Sequence, residues 1–330
     1  MEMGEQELEE VDEIRYLGYI LQKNGSNEKH IQDRKRRATI AMKKTWSVGE
    51  RIFKRDYKRR MRMFGALVES VALYGAEVWR WNIEERLDRV KRRYVRWLLG
   101  LDTTTPNYIL REECKIEEIR EKALKRAVRY EKEKALESKK ELVKGCIKER
   151  ERNWGKGQEG KRARKRKMRL EEAKEGRTRG EAGDRQERMT ANQIIEERRK
   201  RETEEREKRI RESKYNKYYR NMAKEGLPKY LEGKMKWEDR NMVARFRCGN
   251  GTRARKHWKE EGERGCRFCR KGEGDLKHVV EECEITGGAR NMGEVLKETG
   301  EGLAELKAII VKRRAAEEGE ERQGGSTARK

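Results

Sequence analysis

Proline occurs twice in this 330-residue chain, and histidine only three times. With so few prolines and an abundance of Glu, Lys and Arg, little in the sequence breaks a helix. No apolar run approaches the roughly 20 residues that a membrane-spanning helix needs, so an integral membrane protein is not expected. The first ten residues, Met1 to Glu10, are acidic and contain no apolar signal-peptide core. Apolar residues make up 33% of the chain against 45% charged, too few for one large core. Six cysteines at uneven spacing do not read as a disulfide frame; they read as thiols or metal ligands. There is no glycine-rich phosphate loop, no Ser/His/Asp set, no carboxylate dyad and no Asp-Asp pair anywhere.

What is present is positive charge. Eighty-seven Lys and Arg face 62 Asp and Glu, a net charge of +25, which favours a polyanionic partner, nucleic acid before a membrane surface. The expected partner is RNA or DNA, and the expected location is nuclear or cytoplasmic.

Periodicity predicts a mainly α protein. Ile14, Tyr16, Tyr19, Ile20 and Leu21 read as a short β-hairpin within residues 1–26, with Asn24-Gly25 suited to its tight turn. A helical bundle is expected over 27–147. Its first helix carries Ile31, Ala38, Ala41, Met42, Thr45 and Trp46 on one face up to Gly49. Tyr57, Met61, Phe64, Val68 and Val71 form the next stripe, widened by Leu67. Ile83, Leu87, Val90, Tyr94 and Trp97 follow on one face, with Leu98 beside them, stopped at Gly100. Thr103 to Pro106 reads as a capped entry into a further helix carrying Ile116, Ile119, Ala123, Ala127 and Val128. Residues 148–212 are dominated by charge and broken by glycine, and read as a basic linker leading into a solvated helix from about 188 to 225. Apolar positions return at 213–290, and 291–330 reads as a helical or frayed tail.

The strongest local signal is CRFCRKGEGDLKHVVEEC, Cys266 to Cys283, with the spacing Cys-x2-Cys-x8-His-x4-Cys. A tight Cys-x2-Cys turn and a second ligand pair are the usual donors of tetrahedral zinc. Cys266, Cys269, His278 and Cys283 are therefore the expected ligands of a structural zinc ion. Arg267, Arg270 and Lys271 would favour the thiolates, and Gly272 and Gly274 would let the chain fold back. Cys114, Cys146 and Cys248 are expected to be ordinary thiols, and His30 and His257 surface residues.

Two cationic clusters are expected to contact phosphates. One is Lys54, Arg55, Lys58, Arg59, Arg60 and Arg62; the other is Lys91, Arg92, Arg93 and Arg96, beside core residues Tyr94 and Trp97. The run Lys161, Arg162, Arg164, Lys165, Arg166 and Lys167 is a candidate import or RNA-binding segment. The segment Ser213 to Arg220 mixes tyrosine with Lys and Arg, which fits either packing or single-strand stacking.

Tyr16-Leu17-Gly18, Tyr74-Gly-Ala-Glu-Val-Trp79, Arg96-Trp97-Leu-Leu-Gly100 and the Cys-Cys-His-Cys cluster occur in that order. The order resembles the C-terminal part of non-LTR (LINE-type) retrotransposon reverse transcriptases of the insect type, over about 13–130 and 226–290. The resemblance implies that 27–130 correspond to the thumb and that the cluster is the family's zinc-knuckle-like module. It also implies a catalytic Asp-Asp signature N-terminal to Tyr16, which this sequence lacks, so no catalytic residue carries over. The expectation is a truncated remnant that binds RNA or DNA. The alternatives are the thumb and zinc part of an active polymerase whose palm lies in a longer product, and a charged helical scaffold that binds proteins.

Overall fold

The computed structural model describes residues 10–79, 85–135, 137–155, 190–251, 265–266, 268–269, 271–288 and 291–326. They are mainly helical, with one two-stranded hairpin and a Cys/His cluster near the C-terminus. Ile83, the run 161–167, His257 and Trp258, and Arg267 and Arg270 lie outside the described residues. Two compact units share the chain. One comprises Met1–Thr45, Phe64–Lys91 and Glu118–Arg201; the other comprises Trp46–Met63, Arg92–Glu117 and Glu202–Lys330. These units interleave along the sequence, whereas the segments read from composition lie end to end.

In the first unit, β1 (Glu13–Tyr16) pairs antiparallel with β2 (Tyr19–Gln22), with Ile14 opposite Leu21 and Tyr16 opposite Tyr19. The reversal falls at Leu17-Gly18, both at positive φ (46° and 78°), and not at Asn24-Gly25. Two consecutive residues at positive φ suit the strand twist of a two-residue hairpin. Asn24-Gly25 instead turns the chain out of β2 towards the helix that follows: the Gly25 N–H donates to Gln22 O at 2.8 Å, and Asn24 Oδ1 accepts from Ser26 N–H at 2.8 Å.

The hairpin is held by His30, which is fully buried and not a surface residue as its sequence context suggests. Its Nδ1 accepts the Ile20 N–H at 3.3 Å, so the proton sits on Nε2, 3.3 Å from the Tyr74 carbonyl. Tyr19 stacks on the ring at 3.8 Å. Burial holds the His30 pKa below its ordinary value.

The helix α1 (Glu28–Ile52) buries Ile31, Ala38, Met42 and Thr45 as its periodicity predicts, but it runs past Gly49 to Ile52. Next come α2 (Tyr57–Phe64), a π-helical turn at Gly65–Glu69, and α3 (Ser70–Ala72). A π turn holds more residues per turn than an α-helix. The buried series therefore runs Phe64, Val68, Ala72, a spacing of four and four, and Val71 drops out of the core stripe. Leu67 is 51% exposed and Val71 half-buried. The short α4 (Ala76–Trp79) packs on α7 (Ile119–Arg129), which begins with a reciprocal capping box between Glu118 and Glu121. Leu124 and Val128 of α7 pack with Ala191 and Ile194, which open the charged helix α9 (Ala191–Arg211). That helix ends at Arg211 rather than near 225. Before it, α8 spans Glu141–Gly155.

The helix α5 (Asp88–Leu99) contributes to both units, and Gly100 (φ 59°) ends it as expected. In the second unit, α6 (Asn107–Cys114) starts after Pro106, which needs no N–H there. Thr105 Oγ1 donates to the Asp102 carbonyl at 2.9 Å rather than capping that helix. Then come α10 (Tyr219–Met222), α11 (Lys229–Glu232), α12 (Trp237–Arg247), α13 (Met292–Val295) and α14 (Leu303–Ser326). The last of these is helical, as the tail reading allows, with Leu306 and Ile309 buried. Tyr219, Met222, Tyr230, Leu231, Val243 and Phe246 are buried, so the Ser213 to Arg220 segment supplies packing through Tyr219.

Candidate metal centre and cationic surface

An antiparallel bridge between Gly265 and Glu273 closes the first half of the cluster. Within it the Cys266 N–H donates to the Gly272 carbonyl at 3.0 Å, and Gly272 turns at φ 66°. The loop thus returns the chain within a few residues of where Cys266 left it. Asp275 Oδ1 accepts the His278 N–H at 2.9 Å, and its Oδ2 accepts the Tyr218 hydroxyl at 2.7 Å. One carboxylate therefore fixes the start of the ligand-bearing turn and joins it to the tyrosine segment.

His278–Glu282 is a π turn. The Cys283 N–H reaches the His278 carbonyl at 2.7 Å, the i to i+5 bond that defines such a turn. This accounts for the x4 spacing, because one wide turn has His278 at its start and Cys283 at its exit. Val279 and Val280 point inward and are buried, while Thr286 Oγ1 donates to the Val279 carbonyl at 2.9 Å.

The four donor atoms all lie within 4.8 Å of one another. Cys266 Sγ is 3.7 Å from Cys283 Sγ, and Cys269 Sγ is 3.2 Å from His278 Nε2. A disulfide would need about 2.05 Å, and none of the four is bonded that way. A tetrahedron with metal–sulfur bonds of about 2.3 Å and metal–nitrogen bonds of about 2.05 Å has S···S edges of about 3.8 Å and S···N edges of about 3.6 Å. One S···S distance matches the first edge and one S···N distance falls slightly inside the second, so Cys266, Cys269, His278 and Cys283 can hold a metal ion. Glu282 Oε2 lies 3.9 Å from His278 Nδ1, on the side of the ring away from the cluster.

The thiols are electrostatically at odds. Burial raises the Cys283 pKa, but hydrogen bonds from Thr286, Ile285 and Cys266 overcome it and bring the group to about 6. Burial, with Cys266 and Cys283 as neighbours, pushes Cys269 up. Adjacent thiols cannot all ionise without a compensating charge, and a divalent cation supplies one. Lys271 is exposed and paired with Glu284 at 2.6 Å.

Cys248 is fully buried and takes no part in the cluster. Cys114 is likewise buried, and Cys146 exposed.

The first cationic cluster is mostly at the surface. Lys54, Arg55, Lys58, Arg59 and Arg62 are exposed around buried Tyr57. Lys58 pairs with Glu232 at 2.9 Å and Arg59 with Asp56 at 3.3 Å, exposed pairs of little energetic weight. Arg60 faces the other way and is fully buried, its guanidinium 4.2 Å from the Trp46 ring and hydrogen-bonded to Glu50. In the second cluster, Arg93 is exposed, but Lys91 and Arg92 are buried, which corrects their expected place at the surface. Lys91 Nζ donates to Glu69 Oε1 at 2.6 Å. A buried carboxylate needs that charge, and sequence periodicity cannot reveal a partner 22 residues away. Arg96 donates to the Thr105 carbonyl and to Asn107 Oδ1, both at 2.8 Å. Tyr94 is buried, while Trp97 is 38% exposed and forms an edge-to-face pair with Trp46.

No helix among the described residues is long and apolar enough to cross a membrane. No protein-family profile, curated protein or solved structure matches the chain.

Proposed function

We propose that this chain is a nucleic-acid-binding segment of the non-LTR reverse transcriptase class, which grips RNA or DNA through basic helices and carries a structural zinc module. The observation that supports it best is the division of labour over residues 54–62. Tyr57 and Arg60 turn inward while Lys54, Arg55, Lys58, Arg59 and Arg62 stay in solvent. Such cations release counterions when they meet phosphate, and that release is the main source of nucleic-acid affinity. The charge of +25 supplies the long-range attraction.

Zinc is the metal proposed for the cluster, because three thiolates and one imidazole at tetrahedral spacing suit it best. Four protein donors leave no open position, so its role is to stabilise the fold. The ordered motifs of the sequence support a thumb-like role for the basic helices. With no Asp-Asp pair in the chain, the assigned activity is binding and not polymerisation.

The test is binding of the full chain to a labelled single-stranded RNA across a range of salt. Five phosphate contacts give a slope of log K against log salt of about −3.5. Replacing Arg55 and Arg62 with Glu is expected to reduce that slope by about one to two units. A salt-independent affinity, or one indifferent to both substitutions, overturns the reading. One zinc per chain by elemental analysis, lost in Cys266→Ser, supports the metal assignment, and a metal-free folded chain overturns it.

A further inference from the structure

A shallow cleft of about 520 Å³ lies within the first unit, between α1 and the segment that follows the π turn. Its floor is aliphatic. Ile40 is 46% exposed, and Val71 is the residue that the π turn at Gly65–Glu69 takes out of the core stripe. Leu67, moved out by the same turn, is exposed in the same segment. An extra residue in one turn has therefore exchanged core burial for an apolar surface beside α1. π turns inside α-helices are frequent at functional sites.

Three cations of α1 line it, Arg37 and Lys44 exposed and Arg34 buried. Asp33 is the carboxylate that answers this side of the helix, and it is shared among Arg34, Arg36 and Arg37. Those ion pairs outweigh the cost of burial and hold its carboxyl far below the ordinary range. Three guanidiniums on one carboxylate leave a local surplus of positive charge, and Lys44 adds to it.

An aliphatic floor under a cationic rim fits a helix with a leucine stripe and acidic flanks. A stacking surface for single-stranded nucleic acid would instead present an open aromatic face to the bases. Tyr74 is the one aromatic side chain in the lining, and the Arg34 guanidinium lies 5.2 Å from its ring while its hydroxyl donates to the Leu17 carbonyl. We infer that this cleft is a docking groove for an acidic amphipathic helix of a partner protein. The groove is independent of the nucleic-acid reading, which rests on residues 54–62.

The experiment measures fluorescence anisotropy of the full chain with a panel of labelled peptides of about five helical turns (~18 residues). Each carries Leu at i, i+4, i+7 and i+11 with Glu on both flanks, and each has a counterpart of equal charge with Ser for Leu. The expected result is that at least one Leu peptide binds about tenfold more tightly than its Ser counterpart. That advantage should vanish in Ile40→Ser, whose half-exposed side chain can be changed without unfolding the chain, as a thermal melt would verify. Lys44→Glu should weaken the same peptide several-fold. Equal binding of Leu and Ser peptides would mean charge alone and overturns the groove, as would no binding across the panel. An oligouridylate that loses affinity in Ile40→Ser, with no peptide binding, would give the cleft to nucleic acid and also overturn it.

Discussion

Arg247 Nε donates to Glu113 Oε1 at 2.6 Å, and the two side chains, 134 residues apart in sequence, are 2% and 1% exposed. Arg247 Nη2 adds a second bond to Oε2 at 3.2 Å, so the pairing is bidentate. The carboxylate also accepts the Tyr230 hydroxyl at 2.8 Å and the Tyr219 hydroxyl at 3.0 Å. The guanidinium meets the carbonyls of Met222 and Leu296. Residues of α6, α10, α11 and α12 thus share one buried polar centre.

A buried pair of this kind is worth little as a sum but costs much to break. Arg247→Met leaves the Glu113 carboxylate buried without its cation, a loss of about 3–5 kcal/mol. Tyr230→Phe removes one hydrogen bond to a charged group, about 1.5–3 kcal/mol. Urea unfolding curves of the second unit's probes should rank the variants in that order. Equal midpoints would show that the centre carries no weight.

Acid should act on the same centre. Burial pushes the Glu113 carboxyl up, but the Arg247 charge and the bonds from Arg247 and both tyrosines hold it below its ordinary value. Its folded pKa is depressed, so the unfolded chain binds the proton more readily. The stability it contributes is complete above the ordinary carboxylate range, about 4.5, and is lost as pH falls through and below it. Denaturation midpoints taken from pH 6 downwards, roughly every half unit, should fall more steeply in the parent chain than in Glu113→Gln.

His30 gives a second pH window, at a higher value. Because its folded pKa lies below 6.5, neutral His30 supports the hairpin above that pH and the support is lost as pH falls below it. Protonation removes the acceptor for the Ile20 N–H. The protection factor of the Ile20 amide, its rate corrected for intrinsic exchange, should fall between about pH 6.5 and 5 by up to tenfold per pH unit. A rate that follows only intrinsic exchange chemistry over that range would rule the mechanism out.

Gly49 reverses a familiar rule. Alanine in place of glycine inside a helix ordinarily gains about 0.5–1 kcal/mol. Here the added Cβ would sit 2.9 Å from Arg60 Nε, on a guanidinium held between Trp46 and Glu50. Overpacking costs about 1–3 kcal/mol and wins, so Gly49→Ala should lower the thermal midpoint. A higher midpoint would mean that Arg60 yields freely.

Gly287→Ala should damage the metal centre without touching a ligand. Its Cβ would lie 2.8 Å from the backbone N and O of Cys283, and backbone cannot move aside as a side chain can. Metal affinity, read by competition with a chelator, is expected to fall about 10–100-fold, the range seen when a ligand's support is removed. Gly145→Ala, where nothing lies within 4 Å, is the matched control.

The Cys/His cluster was legible because its signal is local. Four rare donor residues at fixed spacing fall within eighteen positions, and thiolate and imidazole chemistry gives that pattern one main reading. The helices were legible too, since burial at Ile31, Ala38 and Met42, or Leu87, Val90 and Tyr94, follows the 3.6-residue period. The stop at Gly100 needs only a residue free to adopt positive φ.

What the sequence hid depends on long-range partners or on backbone phase. Lys91 reads as a surface cation until Glu69 is beside it, and His30 reads as exposed until Tyr19 and Ile20 close over it. Val71 and Leu67 read as core because a π turn leaves no mark in composition, yet one added residue rotates everything after it. The hairpin turn went to Leu17-Gly18 instead of Asn24-Gly25 because strand register is decided by what Tyr19 and Ile20 pack against. The sequence by itself determined the helical class, the surplus of positive charge and the Cys/His cluster that could hold a metal ion. The tertiary structure alone decided which charges face solvent, because burying a charge depends on a partner that only folding brings near.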